Sequence, residues 1–112
     1  MSAAVESEWL EPSLFHLWTD DTVDPPCVGV AGEVDLETCA AFRQALSDAA
    51  EMNPRVVRID MRSVEFMGST GIRELVRVAQ TVPRVEVIGP RPIVRRALDA
   101  AHLGRGVVII DE

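Results

Sequence analysis

The sequence predicts an α/β domain built on one mixed β-sheet, an N-terminal hairpin then βαβαβαβ, with helices packed against it. Two strand-like segments separated by turn formers predict the hairpin. Three helix-period stretches interleaved with short apolar runs predict the crossovers that follow, and Pro or Gly punctuates each helix end. With 112 residues there is room for one core and not for two.

In chain order, residues 1–12 are acidic and rich in small residues, and are expected to form a flexible tail ahead of a single domain over 13–112. Phe15 to Thr19 alternates and reads as the first strand, with Trp18 a half-buried aromatic on the sheet edge. Asp20 to Pro26 is dense in turn formers, and Cys27 to Gly32 returns as the second strand. Asp35 to Met52 reads as a helix because Leu36, Cys39, Phe42, Leu46 and Ala49 recur at steps of three and four. Asp35 is its expected N-cap, and Asn53-Pro54 stops it. Arg55 to Met61 is a third strand, with Val57, Ile59 and Met61 facing one way and Arg58 and Asp60 the other.

A short loop then leads to a second helix, from Ser69 to about Val82, closed by Pro83. Ile72, Leu75, Val76, Ala79 and Val82 form its inner stripe, and Arg73, Glu74, Arg77 and Gln80 its solvated side. Arg84 to Ile88 is the fourth strand. Pro92 opens a third helix, with Val94, Ala97, Leu98 and Ala101 inward and Gly104 as the C-cap. Val107 to Ile110 is apolar throughout and is expected to be a central or well-covered strand.

Charge is unevenly spread along a chain of net charge −7. Residues 1–54 carry eleven acids against one base, for −10, while residues 55–112 carry ten arginines against seven acids, for +3. An acidic chain without aromatic-basic interleaving is a poor nucleic-acid binder, and its expected partner is a basic protein surface. No apolar run approaches the roughly 20 residues of a membrane helix, and the first residues lack a leader pattern, so a cytoplasmic protein is expected. Cys27 and Cys39 have neither metal-ligand spacing nor a Cys-x-x-Cys pattern and read as small packed hydrophobes.

The segment richest in chemistry is Asp60 to Ile72, where a helix opens on Ser69-Thr70-Gly71 and presents a hydroxyl at its N-terminus. Backbone N–H groups and the helix dipole favour negative charge there, so a phosphate on Ser69 would sit in a natural anion site. No catalytic centre surrounds it: His16 and His102 belong to no triad, and the spacing is not Gly-x-Ser-x-Gly. There is no phosphate-cradling glycine loop, no metal-ligand cluster and no cofactor motif. Ser69 therefore reads as a residue acted upon, with a simple capping role as the plainer alternative. Arg91, Arg95 and Arg96 read as the solvated face of the third helix.

Two segments together resemble the STAS family, which includes bacterial anti-sigma factor antagonists. Gly32-Glu33-Val34-Asp35-Leu36-Glu37-Thr38-Cys39 is similar to the family's Gly-Glu-Leu-Asp-x-x-Thr-Ala. Asp60 to Ile72, with Val64, Phe66, Met67, Ser69, Thr70 and Gly71, is similar to its Asp-x-x-x-Val-x-Phe-Met-Asp-Ser-Ser-Gly-Leu. With the order of elements, the likeness covers roughly residues 13–110.

The resemblance implies a non-enzymatic domain whose partner is an anti-sigma factor of the serine-kinase type. The unphosphorylated antagonist binds the kinase and frees a sigma factor; the phosphorylated form lets the kinase go. Ser69 takes the phosphoacceptor position, with Thr70 as the alternate acceptor. Glu33, Asp35, Thr38, Gly68, Ser69, Thr70 and Gly71 then form the partner-binding surface, and a monomer or weak dimer is expected. Gly68 departs from the family, which has aspartate there. That departure leaves open a phosphorylation-independent STAS module that binds a ligand or serves as a scaffold. A nucleotide-binding domain with slow hydrolysis is a third reading.

Overall fold

A computed structural model describes residues 8–10, 15–20 and 22–111. Among them a sheet runs in the order β1 (Glu8–Leu10), β2 (Phe15–Asp20), β3 (Cys27–Val34), β4 (Val56–Met67), β5 (Arg84–Ile88), β6 (Val107–Ile110). The first three strands pair antiparallel and β3 through β6 pair parallel, so the sheet is mixed, as the hairpin-then-crossover pattern predicts. Helices α1 (Cys39–Glu51), α2 (Ser69–Ala79) and α3 (Pro92–Ala101) form the three crossovers. β1 falls within the stretch read as a tail, and with it in place β2 is not the edge; residues 1–7 and 11–14 lie outside the described residues.

The core follows from periodicity. Phe15 and Leu17 on β2, Val28 and Val30 on β3, Val57, Ile59 and Met61 on β4 and Val85 and Val87 on β5 lie at alternate positions and are buried. Phe42, Leu46 and Ala49 of α1 and Leu75 and Val78 of α2 pack onto them, and Val94 and Leu98 of α3 join the same cluster. On the other face of the sheet, Arg58 and Arg84 bracket Glu86 at 2.9 Å each, and Arg62 holds Asp60 at 2.9 Å. The hydrogen bond from Arg62 keeps the Asp60 carboxyl below its ordinary pKa. Hydrogen bonds from Arg58 and then Arg84 do the same for Glu86. Trp18 lies half-buried directly over Gly29, where any side chain would collide with the indole.

Several boundaries differ from the expectation, each for a physical reason. β4 does not stop at Met61 but runs to Met67, leaving Gly68 as the whole loop before α2. Two irregularities opposite β3, at Gly29/Ala31 and Gly32/Glu33, each insert a residue into β4. The buried positions therefore slip from 57, 59, 61 to 64 and 67, and simple alternation is lost. α1 starts at Cys39, because Asp35 to Thr38 forms a separate turn, and Leu36 leaves the inner stripe for solvent. α2 ends at Ala79, and Glu74, expected in solvent, is 6% exposed. It accepts from Arg77 Nε at 3.0 Å and lies 3.8 Å from Arg43 Nε, a pairing that a buried carboxylate requires.

α3 terminates at His102, which takes the left-handed conformation (φ 52°) ahead of Gly104 (φ 94°). β6 is the last strand of the described sheet and half-buried, not central. Val107 and Ile109 reach the core and Val108 and Ile110 pair beside Glu86 and Ile88, so both faces favour apolar residues at an edge. Arg91 donates to the Arg62 carbonyl, and Arg95 binds Asp99 and Asp111, so this helix face is solvated but locally tied.

Candidate functional site

The site lies at the C-terminal ends of β3 and β4, where α1 and α2 begin. In the parallel register Glu33 pairs with Phe66 and Val34 with Met67, which brings the two sequence segments together. The Gly68 N–H then donates to the Val34 carbonyl at 2.8 Å. Cys39 Sγ, at the first residue of α1, lies 3.6 Å from the Thr70 carbonyl in α2. Both cysteines are free thiols and half-buried. Burial is the main cause that pushes the Cys27 thiol up from its ordinary pKa.

The turn before α1 is closed by its own side chains. Asp35 Oδ1 accepts from the N–H groups of Glu37 (3.0 Å) and Thr38 (3.2 Å), and the Asp35 carbonyl accepts from Cys39 N–H at 2.8 Å. Thr38 returns the bond: its hydroxyl accepts from Asp35 N–H at 3.0 Å and donates to the Glu33 carbonyl at 2.8 Å. The exchange follows the logic of a capping box, with Asp35 capping a turn that precedes the regular helix. Thr38 is 4% exposed, so its hydroxyl is a buried fastener and presents little to a partner.

The start of α2 is built differently. Gly68 is the N-cap, extended at φ −81° and ψ 175°, and without a side chain it caps nothing. Ser69, which the plainer reading makes the N-cap, is instead the first helical residue, with Gly68 in the cap position. Its side chain is exposed and makes no hydrogen bond among the described residues. Ile72 N–H is the first to bond back, to the Gly68 carbonyl at 3.1 Å, which leaves the N–H groups of Ser69, Thr70 and Gly71 without acceptors among the described residues. An anion on Ser69 would meet three free donors and the positive end of the helix dipole.

Thr70 is half-buried, and Gly71 is buried for packing. A Cβ on Gly71 would stand 2.7 Å from Val34 Cγ1 and 2.8 Å from Met67 Sδ, so glycine lets α2 approach the strand ends closely. Gly68 needs no such freedom. Its φ suits any residue, and a Cβ there would meet ordinary contacts at 3.5 Å or more. Two residues that the sequence reading did not assign to the site border it, namely Leu36, 81% exposed, and Phe66, 47% exposed. Leu36 flanked by Asp35 and Glu37 is the signal that points to it; Phe66 is hidden by the irregular strand.

A six-stranded mixed sheet with these two joined segments at the strand ends defines a STAS domain. The chain belongs to that family: the family model described as "Mlab, STAS domain" matches residues 19–110. It is 34% identical over 55 residues to the anti-sigma-F factor antagonist RsfB in two strains of Mycobacterium tuberculosis, a match over 49% of this chain and 45% of the relative. The chain thus spans about half the length of these curated relatives. A crystal structure of an anti-sigma factor antagonist from Mycobacterium paratuberculosis superposes with a TM-score of 0.80 at 26% identity, covering 90% of this chain and 89% of that one. The antagonist SpoIIAA in its unphosphorylated form gives 0.68 at 19% identity, over 86% and 89% of the two chains, a likeness of fold. Among the described residues no helix is long and apolar enough to cross a membrane.

Proposed function

We propose that this STAS domain is an anti-sigma factor antagonist that docks a serine-kinase anti-sigma factor and is released when Ser69 is phosphorylated. The observation that carries the reading is the exposed Ser69 hydroxyl on an uncapped helix start, packed beside the Glu33 to Thr38 turn. The likeness to RsfB and to the Mycobacterium paratuberculosis antagonist supports it. Glu33, Asp35 and Thr38 shape one side of the contact, and Gly68, Ser69, Thr70 and Gly71 the other. The domain acts as partner and kinase substrate, not as catalyst, in the cytoplasm and as a monomer or weak dimer.

The chemistry is one transfer. Ser69 Oγ forms a bond to the γ-phosphorus of ATP held by the kinase. The bond from that phosphorus to the β–γ bridging oxygen breaks, ADP leaves, and the hydroxyl proton passes to a base of the partner. The new group carries about −1.5 to −2 charge at neutral pH. In the free domain it faces the unfilled N–H groups of α2, a placement worth roughly 0.3–1 kcal/mol at an exposed site. In the complex the same charge sits at a packed contact close to Glu33 and Asp35, where burial and repulsion oppose it. The phosphate therefore favours the free state. Thr70, half-buried with its carbonyl facing Cys39, is the lesser acceptor.

Mixing the protein with candidate anti-sigma kinases and ATP, then mapping phosphosites, tests the reading. A complex before ATP and a phosphate on Ser69 after it are expected. No complex and no phosphate on Ser69 or Thr70 with any of them would sink it. A second reading, a ligand-binding module independent of phosphorylation, is favoured by the groove between α1 and α2, which Arg43, Leu46, Ala50, Glu74, Arg77 and Val78 line. In that case Ser69→Ala behaves as wild type in cells while Arg77→Ala loses regulation.

A further inference from the structure

We propose that Gly68 opens a gap between Phe66 and the Asp35-Leu36 turn, and that this acid-rimmed apolar gap takes an apolar side chain flanked by arginine or lysine on the anti-sigma factor. The inference rests on the function proposed above and names the contact that anchors it. A single exposed leucine is ordinary, but here two large exposed apolar side chains, Leu36 and Phe66, lie on the two segments that meet at the exposed Ser69.

A Cβ on Gly68 would stand 3.5 Å from Phe66 Cε2, 3.6 Å from the Val34 carbonyl oxygen and 4.0 Å from Asp35 Cα. Ring and turn thus both border the space that a side chain here would fill, and Leu36 follows directly on Asp35. Both walls are held in place before any partner arrives. Asp35 and Thr38 close the turn with reciprocal hydrogen bonds, and Phe66 lies in the β4 ladder opposite Glu33. Docking on preorganised walls loses little conformational freedom.

Charge commits the occupant. Glu33, Asp35 and Glu37 lie on β3's end and the turn that follows, and Glu65 precedes Phe66 in β4. The bases next along the chain are Arg43, Arg62 and Arg73, so the carboxylates outnumber the bases along these two segments. Such a rim repels a second acidic copy of this domain end and steers a basic surface toward it. The gap also gives Gly68 a role. An aspartate, as the family has, would occupy the space and add a fifth carboxylate, while the backbone at φ −81° accepts it without strain.

The test is calorimetric titration of a kinase-type anti-sigma factor from the same organism into the full chain, without ATP, for wild type, Leu36→Ser, Phe66→Ser, Gly68→Asp and Glu37→Lys. Circular dichroism and the thermal midpoint report whether each variant keeps its fold. Leu36→Ser, Phe66→Ser and Gly68→Asp are each expected to weaken binding about tenfold or more. Glu37→Lys is expected to cost about threefold at low salt, mainly in on-rate, and to approach wild type in high salt. Folded variants that bind as tightly as wild type overturn the anchor and leave the antagonist reading standing. Self-association of wild type that Leu36→Ser abolishes identifies a second copy as the occupant and also overturns it. Wild type that binds none of the organism's kinase-type anti-sigma factors overturns both.

Discussion

Two helix starts lie side by side in this domain, and they differ in how much of the backbone their own side chains tie down. Each helix begins with N–H groups that its own backbone does not satisfy. Before α1, Asp35 and Thr38 trade hydrogen bonds and tie the turn to the Glu33 carbonyl, so the N–H groups of Asp35, Glu37, Thr38 and Cys39 are used internally. Of the helix's first donors, those of Ala40 and Ala41 find no acceptor among the described residues. At α2, Gly68 contributes no side chain, Ser69 points to solvent, and three N–H groups find no acceptor among the described residues. Parallel pairing of β3 with β4 holds the closed turn against the open one. The contrast teaches a division of labour. On the proposed function, one start fixes the shape a partner meets, and the other keeps its donors for a charge that arrives later.

Substitutions sharpen the contrast in descending order of effect on stability. Thr38→Val keeps the volume of a buried side chain but strands the Asp35 N–H and the Glu33 carbonyl, so a loss of about 1–3 kcal/mol is expected in chemical denaturation. For a domain of this size that corresponds to a fall in the thermal midpoint of roughly 4 °C or more. Asp35→Ala removes the acceptor of two N–H groups and is expected to cost about 1 kcal/mol by the same measurement. Ser69→Ala, at the open start, is expected to change stability by less than about 0.5 kcal/mol either way while it abolishes phosphorylation. Gly68→Asp supplies a missing cap and is expected to stabilise the fold by a few tenths of a kcal/mol, visible as a small rise in the thermal midpoint. A large loss in Ser69→Ala, or none in Thr38→Val, would break the comparison.

Much of this arrangement is legible in the sequence, and what is not has identifiable causes. Arg84 to Ile88 reads correctly because Arg84 to Val87 alternates cleanly and Pro83 and Gly89 bound the run. The meeting of the Glu33 to Thr38 and Gly68 to Gly71 segments follows from a parallel sheet whose loops gather at one end. The outer half of β4 is illegible because two inserted residues shift the inward positions to Val64 and Met67 and turn Phe66 out. Leu36 fits a helical stripe on paper, but the Asp35–Thr38 exchange replaces the first helical turn and carries it into solvent. Glu74 sits in a charged stretch that reads as solvated; only the approach of α1, bringing Arg43 near it, explains its burial. Val107 to Ile110 is apolar on both faces, and such a run does not by itself separate an edge from a centre.

On the proposed function, the open helix start is the receiving point for phosphate. The most direct measurement is a paired experiment: affinity for the anti-sigma kinase before and after incubation with ATP, with phosphosite mapping of the same sample. A single phosphate on Ser69, accompanied by at least about tenfold weaker binding, is the predicted result. A complex that forms tightly, accepts no phosphate at Ser69 and is unchanged by ATP would contradict it.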